Sequence, residues 1–111
     1  MSRITTHILD VSLGRPAAGV EIRLERQRGP SWTAIGAATT DSDGRVASFA
    51  DGALEAGTYR LIFETGTYFA GSGRESFYPH IVVSFSADAG EQHYHVPLLL
   101  SPYGYSTYRG S

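Results

Sequence analysis

The sequence predicts an all-β fold, a two-sheet sandwich carrying at most one short helix. Three observations lead there: apolar residues recur mostly at period two, glycine, proline and aspartate interrupt them at short intervals, and no segment sustains a helical period. Roughly six to eight short strands fit into the 111 residues, which suits a sandwich or a small barrel, and the sandwich is preferred. The chain has no internal repeat, low-complexity tract or linker, so one domain is expected to span residues 1–111.

The first strand runs from about Ile4 to Ser12 and ends at Leu13-Gly14-Arg15-Pro16, where glycine and proline supply a turn. Val20 to Arg28 forms the second. There Val20, Ile22, Leu24 and Arg26 share one face, and Glu21, Arg23, Glu25 and Gln27 share the other, which should be wet. Gly29-Pro30 turns the chain into a third strand, Trp32 to Thr39, and Asp41-Ser42-Asp43-Gly44 is a strong turn into a short segment, Arg45 to Phe49. Ala50 to Gly57 reads as a turn region with room for a few helical residues. Thr58 to Glu64, rich in strong β formers, reads as a central strand. In the following stretch, Thr65 to Phe77, the segment Tyr68-Phe69-Ala70 fits a short helix. Ile81 to Phe85 is the next strand and Asp88-Ala89-Gly90 the next turn. Along His93 to Leu100, Tyr94, Val96, Leu98 and Leu100 face one way, and His93, His95, Pro97 and Leu99 face the other. Pro97 suggests an edge or a bulge, because proline cannot donate to the ladder. Tyr103 to Tyr108 holds a last short strand.

Composition narrows the chemistry. There are no cysteines, which removes disulfides, thiolate nucleophiles and sulfur-ligated zinc or iron. All nine cationic side chains are arginine, so neither Schiff-base chemistry nor a phosphate-loop lysine is available. A net charge of −2 gives no long-range pull toward nucleic acid or anionic lipid, and neither is expected as a partner. Nothing from Met1 to Asp10 resembles a targeting segment, and the apolar run Val96 to Leu100 is too short to cross a bilayer. A soluble, cytoplasmic protein is expected. A lone body of this size buries only about two thirds of its unfolded surface, so association with further copies would help it.

Histidine carries most of the chemical information, because it titrates near neutrality and both ring nitrogens exchange protons or bind metal. His7 lies in a strand-like, threonine-rich segment, where a strand histidine without a chemical role is as good a reading as a functional one. His93 and His95, two apart on one strand, share a face and can present two imidazoles to one metal; exposed strands also carry such pairs by chance. Arg45, at the end of Asp43-Gly44-Arg45, is either a solvated turn residue or a fixed planar donor for a carbonyl-rich or anionic ligand. The tail keeps tyrosines at 103, 105 and 108 close to the carboxyl end, which points to an ordered terminus. The nucleophile elbow G-x-S-x-G is absent and Gly71-Ser72-Gly73 does not match it, so a serine triad is discounted. No G-x-G-x-x-G follows a strand to cradle a dinucleotide.

Three segments together resemble the 5-hydroxyisourate hydrolases, the transthyretin-like proteins of purine catabolism. The first is Ile4-Thr5-Thr6-His7-Ile8-Leu9-Asp10 with Gly14-Arg15-Pro16-Ala17, and the second is Thr40-Asp41-Ser42-Asp43-Gly44-Arg45. The third and most specific is His93-Tyr94-His95-Val96-Pro97-Leu98-Leu99-Leu100-Ser101-Pro102 running into Tyr105-Ser106-Thr107 and the terminal Tyr108-Arg109-Gly110-Ser111, the tetrapeptide that separates the hydrolases from the hormone carriers. The resemblance covers essentially the whole chain.

It implies a transthyretin-like β-sandwich assembled as a homotetramer, with sites in the channel where dimers meet. It also implies hydrolysis of a small-molecule substrate, 5-hydroxyisourate, to 2-oxo-4-hydroxy-4-carboxy-5-ureidoimidazoline, with no metal and no organic cofactor. The family's functional positions carry over to His7, Arg45, His95 and the stretch from Tyr108 to Ser111. Opening a cyclic amide needs a base for water, charge stabilisation at the carbonyl oxygen and a proton for the leaving nitrogen, and two histidines and an arginine supply all three. On this reading His7 or His95 activates water, Arg45 holds the carbonyl oxygens, and Tyr108 with Ser111 orients the ring. His93 and His80 are expected to be structural or peripheral. A transthyretin-type carrier is the competing reading, and a carrier does not need His7, Arg45 and His95 together.

Overall fold

Alternation along the first strand, β1 (Arg3–Asp10), buries Ile4, Thr6, Ile8 and Asp10 on one face and leaves Arg3, Thr5, His7 and Leu9 on the other. The computed structural model describes residues 3–49, 54–88 and 93–111. The residues Ala50 to Ala53 of the expected turn region, and Ala89-Gly90 of the expected turn after Asp88, lie outside these. One sheet has the order β2 (Arg15–Pro16), β1, β8 (His93–Ser101), β9 (Gly104–Thr107), with β5 (Arg45–Val46) also pairing β1. The second has the order β4 (Ser31–Thr39), β3 (Glu21–Arg28), β6 (Gly57–Phe63), β7 (Ile81–Ala87). A short helix, α1 (Thr65–Gly71), follows β6, where Tyr68-Phe69-Ala70 led the sequence reading to expect one.

The inner faces of the two sheets make the core. Ile4, Ile8, Leu98 and Leu100 of the first sheet meet Ile22, Leu24, Leu61 and Phe63 of the second, all essentially without solvent exposure, and Phe69 of α1 closes one end. Burying each such side chain stabilises the fold by about 1.5–3 kcal/mol relative to leaving it exposed. Val20, Ile22 and Leu24 are buried as their alternation requires. Arg26, expected on their face, stays in register opposite Tyr59 and lies over its ring, is only half-buried, and turns its guanidinium to the Glu55 carboxylate at 2.9 Å.

Nine strands stand among the described residues, and the one the sequence reading lacked is β2, only two residues long, where Gly14-Arg15-Pro16 reads as a turn. The first strand stops at Asp10 rather than Ser12, since the Leu13 and Gly14 N–H groups both donate to the Asp10 carbonyl and close a turn there. Pro97 also departs from the edge position expected of it. It sits on β8, which lies between β1 and β9, so it is not on an edge. The β8–β9 ladder runs only from Ser101 to Leu98; beyond it the Pro97 carbonyl takes the Thr107 hydroxyl at 2.7 Å and the His95 carbonyl takes the Gly110 N–H at 2.8 Å. Proline thus occupies the point where the tail leaves the ladder and no N–H is needed.

Candidate active site

The pairing of β1 with β8 is parallel, whereas the other strand pairs described are antiparallel. Its register sets Arg3 beside His93, Thr5 beside His95 and His7 beside Pro97, all on the outer face of the sheet. On the other side of β1, antiparallel pairing with β5 sets His7 beside Arg45. The turn before Arg45 is built by Asp41, whose carboxylate accepts from the Asp43 N–H at 2.9 Å and the Arg45 N–H at 3.0 Å. Gly44 completes it with φ 72°, a conformation that suits glycine, and a Cβ there would run into the Ile8 carbonyl. The Ile8 N–H in turn donates to the Gly44 carbonyl at 2.8 Å. The turn is thereby locked to β1, and Arg45 is delivered next to His7.

The histidines differ in their surroundings. Partial burial, then the nearby Arg45 charge, lowers the His7 pKa from its ordinary value of 6.5, against opposition from the Asp43 backbone and the Asp41 and Asp43 carboxylates. Partial burial lowers His95 as well, reinforced by His93, Arg45 and His7. Both rings are therefore mainly neutral at pH 7, the form a base requires. His95 is also held by its Nδ1, which lies 2.8 Å from the Thr5 hydroxyl, and the same hydroxyl lies 2.7 Å from His93 Nε2. With Nδ1 engaged, Nε2 is the nitrogen that His95 offers to its surroundings.

The carboxyl-terminal residues return to this place. The Gly110 N–H donates to the His95 carbonyl, and the Gly110 α-carbon packs so closely on the His95 ring that a Cβ would overlap the imidazole Cδ2. Arg109 lays its guanidinium over the Tyr94 ring, 5.0 Å from its centroid. Ser111 then borders a cavity of about 340 Å³ shared with Arg3, Thr5, Asp41, Arg45, His93 and His95. Of the residues expected from the sequence, Arg45, His95 and Ser111 converge there, and His7 stands alongside, next to Arg45. Tyr108 does not join them within one chain. It is exposed and lines a groove of about 320 Å³ with Val83, Phe85 and Thr107, on whose border His95 also lies. His80 is exposed and away from both.

The sequence matches the HIUase/Transthyretin family over residues 4–110. The chain belongs to the HIUase/transthyretin family. Within it, the 5-hydroxyisourate hydrolase of Salmonella dublin is 49% identical over 109 residues, covering 97% of this chain and 80% of that protein. The 5-hydroxyisourate hydrolase of Caulobacter vibrioides is 47% identical over 115 residues, with 100% of each covered. The structure of Klebsiella pneumoniae 5-hydroxyisourate hydrolase superposes with a TM-score of 0.90 at 45% identity, covering 100% of both chains. Sea bream transthyretin in complex with thyroxine superposes with a TM-score of 0.91 at 32% identity, covering 97% of this chain and 94% of that one. The expected transthyretin-like sandwich with one short helix is the fold this family member adopts.

Within this HIUase/transthyretin chain, sequence reasoning passed over Thr5 and Asp41 and set His93 aside. The shared strand face of His93 and His95 was the available signal for the latter. No local signal marks Thr5, because its partners lie 88 and 90 residues away and only the parallel register brings them together.

Proposed function

We propose that residues 1–111 act as one hydrolase domain that opens the cyclic amide of 5-hydroxyisourate to 2-oxo-4-hydroxy-4-carboxy-5-ureidoimidazoline in urate degradation, using side chains alone. The observation that carries this reading is the convergence of His95, Arg45 and Ser111 on one cavity of the outer sheet face. The substrate is supported by the 5-hydroxyisourate hydrolases that match nearly the full chain at 49% and 47% identity. His95 takes the base role ahead of His7 because it borders the cavity directly. Its Nε2 removes a proton from water as the oxygen attacks the amide carbonyl carbon. Arg45, a planar cation with paired donors, stabilises the charge that develops on the carbonyl oxygen. The imidazolium then returns its proton to the ring nitrogen as the C–N bond breaks. His7, next to Arg45, and Ser111 bind and orient the substrate ring; Tyr108, expected to orient it with Ser111, lines the neighbouring groove within one chain.

The working molecule on this reading is a homotetramer in the cytoplasm. Two features support assembly: β7 and β9 are the end strands of their sheets in a single chain, and Val11, Leu13, Tyr105 and Tyr108 are exposed. The cysteine-free composition is compatible with a reducing compartment, and among the described residues no helix is long and apolar enough to cross a membrane. Carriage, as in the transthyretin–thyroxine complex, uses the same fold, but the imidazoles and guanidinium gathered on this face favour chemistry. The test is the ultraviolet decay of freshly generated 5-hydroxyisourate with and without the protein. Decay accelerated well above the spontaneous rate is expected, from a species of four chains by sedimentation; decay at the spontaneous rate would overturn the enzyme reading.

A further inference from the structure

We propose that Thr5 and His93 are positioning residues for the hydrolysis, forming a hydrogen-bonded chain His95–Thr5–His93 that fixes which nitrogen of His95 is free to accept a proton. The proposal rests on the assignment of His95 as the base. Its foundation is one hydroxyl shared by two imidazoles: Thr5 Oγ1 lies 2.8 Å from His95 Nδ1 and 2.7 Å from His93 Nε2. Thr5 is itself buried, 8% exposed, and sits on β1 in direct register with His95, so the hydroxyl is held between the two rings by the sheet.

A hydroxyl has one proton to donate, so the two contacts constrain each other. If Thr5 donates to His93 Nε2, it must accept from His95 Nδ1–H, and Nε2 of neutral His95 then carries a lone pair. If instead His93 Nε2 is protonated and donates to Thr5, the hydroxyl proton is free to turn to His95 Nδ1. Neutral His95 then has its proton on Nε2 and cannot take another from water there. The first arrangement is the one that catalyses. It also lets the positive charge that His95 gains during water attack spread along the bond from Nδ1–H to the Thr5 oxygen, the service an acceptor behind a catalytic histidine provides in other hydrolases. His93 contributes by accepting the hydrogen bond from the Thr5 hydroxyl, so an uncharged acceptor of similar reach can replace it.

The experiment compares Thr5→Val, Thr5→Ser, His93→Leu, His93→Gln and His95→Ala in the 5-hydroxyisourate decay assay. In parallel, imidazole nitrogen chemical shifts of His95 are read in the labelled intact protein. Thr5→Val and His93→Leu are expected to lower kcat by about tenfold to a hundredfold with KM little changed. Thr5→Ser and His93→Gln should recover most of the loss. The His95 shifts should report the Nδ1–H tautomer in the unmodified protein and a move toward Nε2–H in Thr5→Val. A Thr5→Val protein with unchanged kcat, or a wild-type His95 already in the Nε2–H form, overturns the proposal. Full activity in His95→Ala overturns the base assignment itself; an inactive His95→Ala beside a fully active Thr5→Val removes only the hydrogen-bonded chain.

Discussion

At the scale of single residues, the site depends on two imidazoles kept neutral by their neighbours. Because burial and adjacent positive charge lower both the His7 and the His95 pKa from 6.5, the base form survives as pH falls through that value. The acid limb of a pH–rate profile of kcat/KM should therefore be centred below pH 6.5. An acid limb centred at or above the ordinary histidine value would contradict the assignment. Gly110 matters for a different reason. Its backbone packs on the His95 ring with no room for a side chain, so Gly110→Ala should displace the imidazole and lower kcat by about a hundredfold, as misplacement by an ångström can. The thermal midpoint should change little, since Gly110 is next to the chain end. The candidate residue types were legible from the sequence because few reactive groups exist in a chain with neither cysteine nor lysine. The contacts of Gly110 and Thr5 were not, since Gly110 meets His95 and Pro97 only when the tail folds back along β8, and Thr5 meets residues 88 and 90 positions away.

At the scale of elements, the helix is fastened to the first sheet through one buried carboxylate. Asp10, fully buried at the end of β1, accepts from Arg74 Nη2 at 2.9 Å, Tyr68 Oη at 2.7 Å, Ser12 Oγ at 2.6 Å and the Leu13 N–H at 3.2 Å. Burial pushes the carboxyl pKa up, but these donors, Arg74 foremost, outweigh it and bring the value down to about 2. Arg74 also lies over the Phe69 and Tyr68 rings of α1. Removing its guanidinium leaves a buried charge short of its cation, so Arg74→Ala should cost about 2–3 kcal/mol, read as a lower urea midpoint at fixed protein concentration with an unchanged slope. A folded-state pKa below the ordinary 3.8 means the unfolded chain binds the proton first. This contribution to stability is complete above pH 3.8 and is lost as pH falls toward about 2. Arg74→Ala should then narrow the stability gap between neutral and acid solution. The strands themselves were readable from alternation, and α1 from a short aromatic segment between two strands. The fastening was not, because an aspartate beside a turn looks solvated until α1 folds back over it.

At the scale of the whole molecule, two sheets bury a common core and leave the candidate site on one outer face. The sequence anticipated the sandwich and placed His93, His95 and Pro97 on one face of their strand. It could not anticipate that β8 is interior and parallel to β1, since strand order depends on long-range packing that local alternation does not encode. That parallel pairing sets the amino-terminal strand beside His95, to which the chain end returns, while the antiparallel β5 brings the turn arginine to the other side of β1. Hydrolysis at that junction requires both His95 and Arg45. Its most direct test is kcat for 5-hydroxyisourate decay in His95→Ala and Arg45→Ala, each measured beside the unmodified protein at matched oligomeric state. Losses of about a hundredfold or more in both variants, with the assembly intact, are predicted. Wild-type turnover in either variant would contradict the role given to that residue, and wild-type turnover in both would place the chemistry somewhere other than this face.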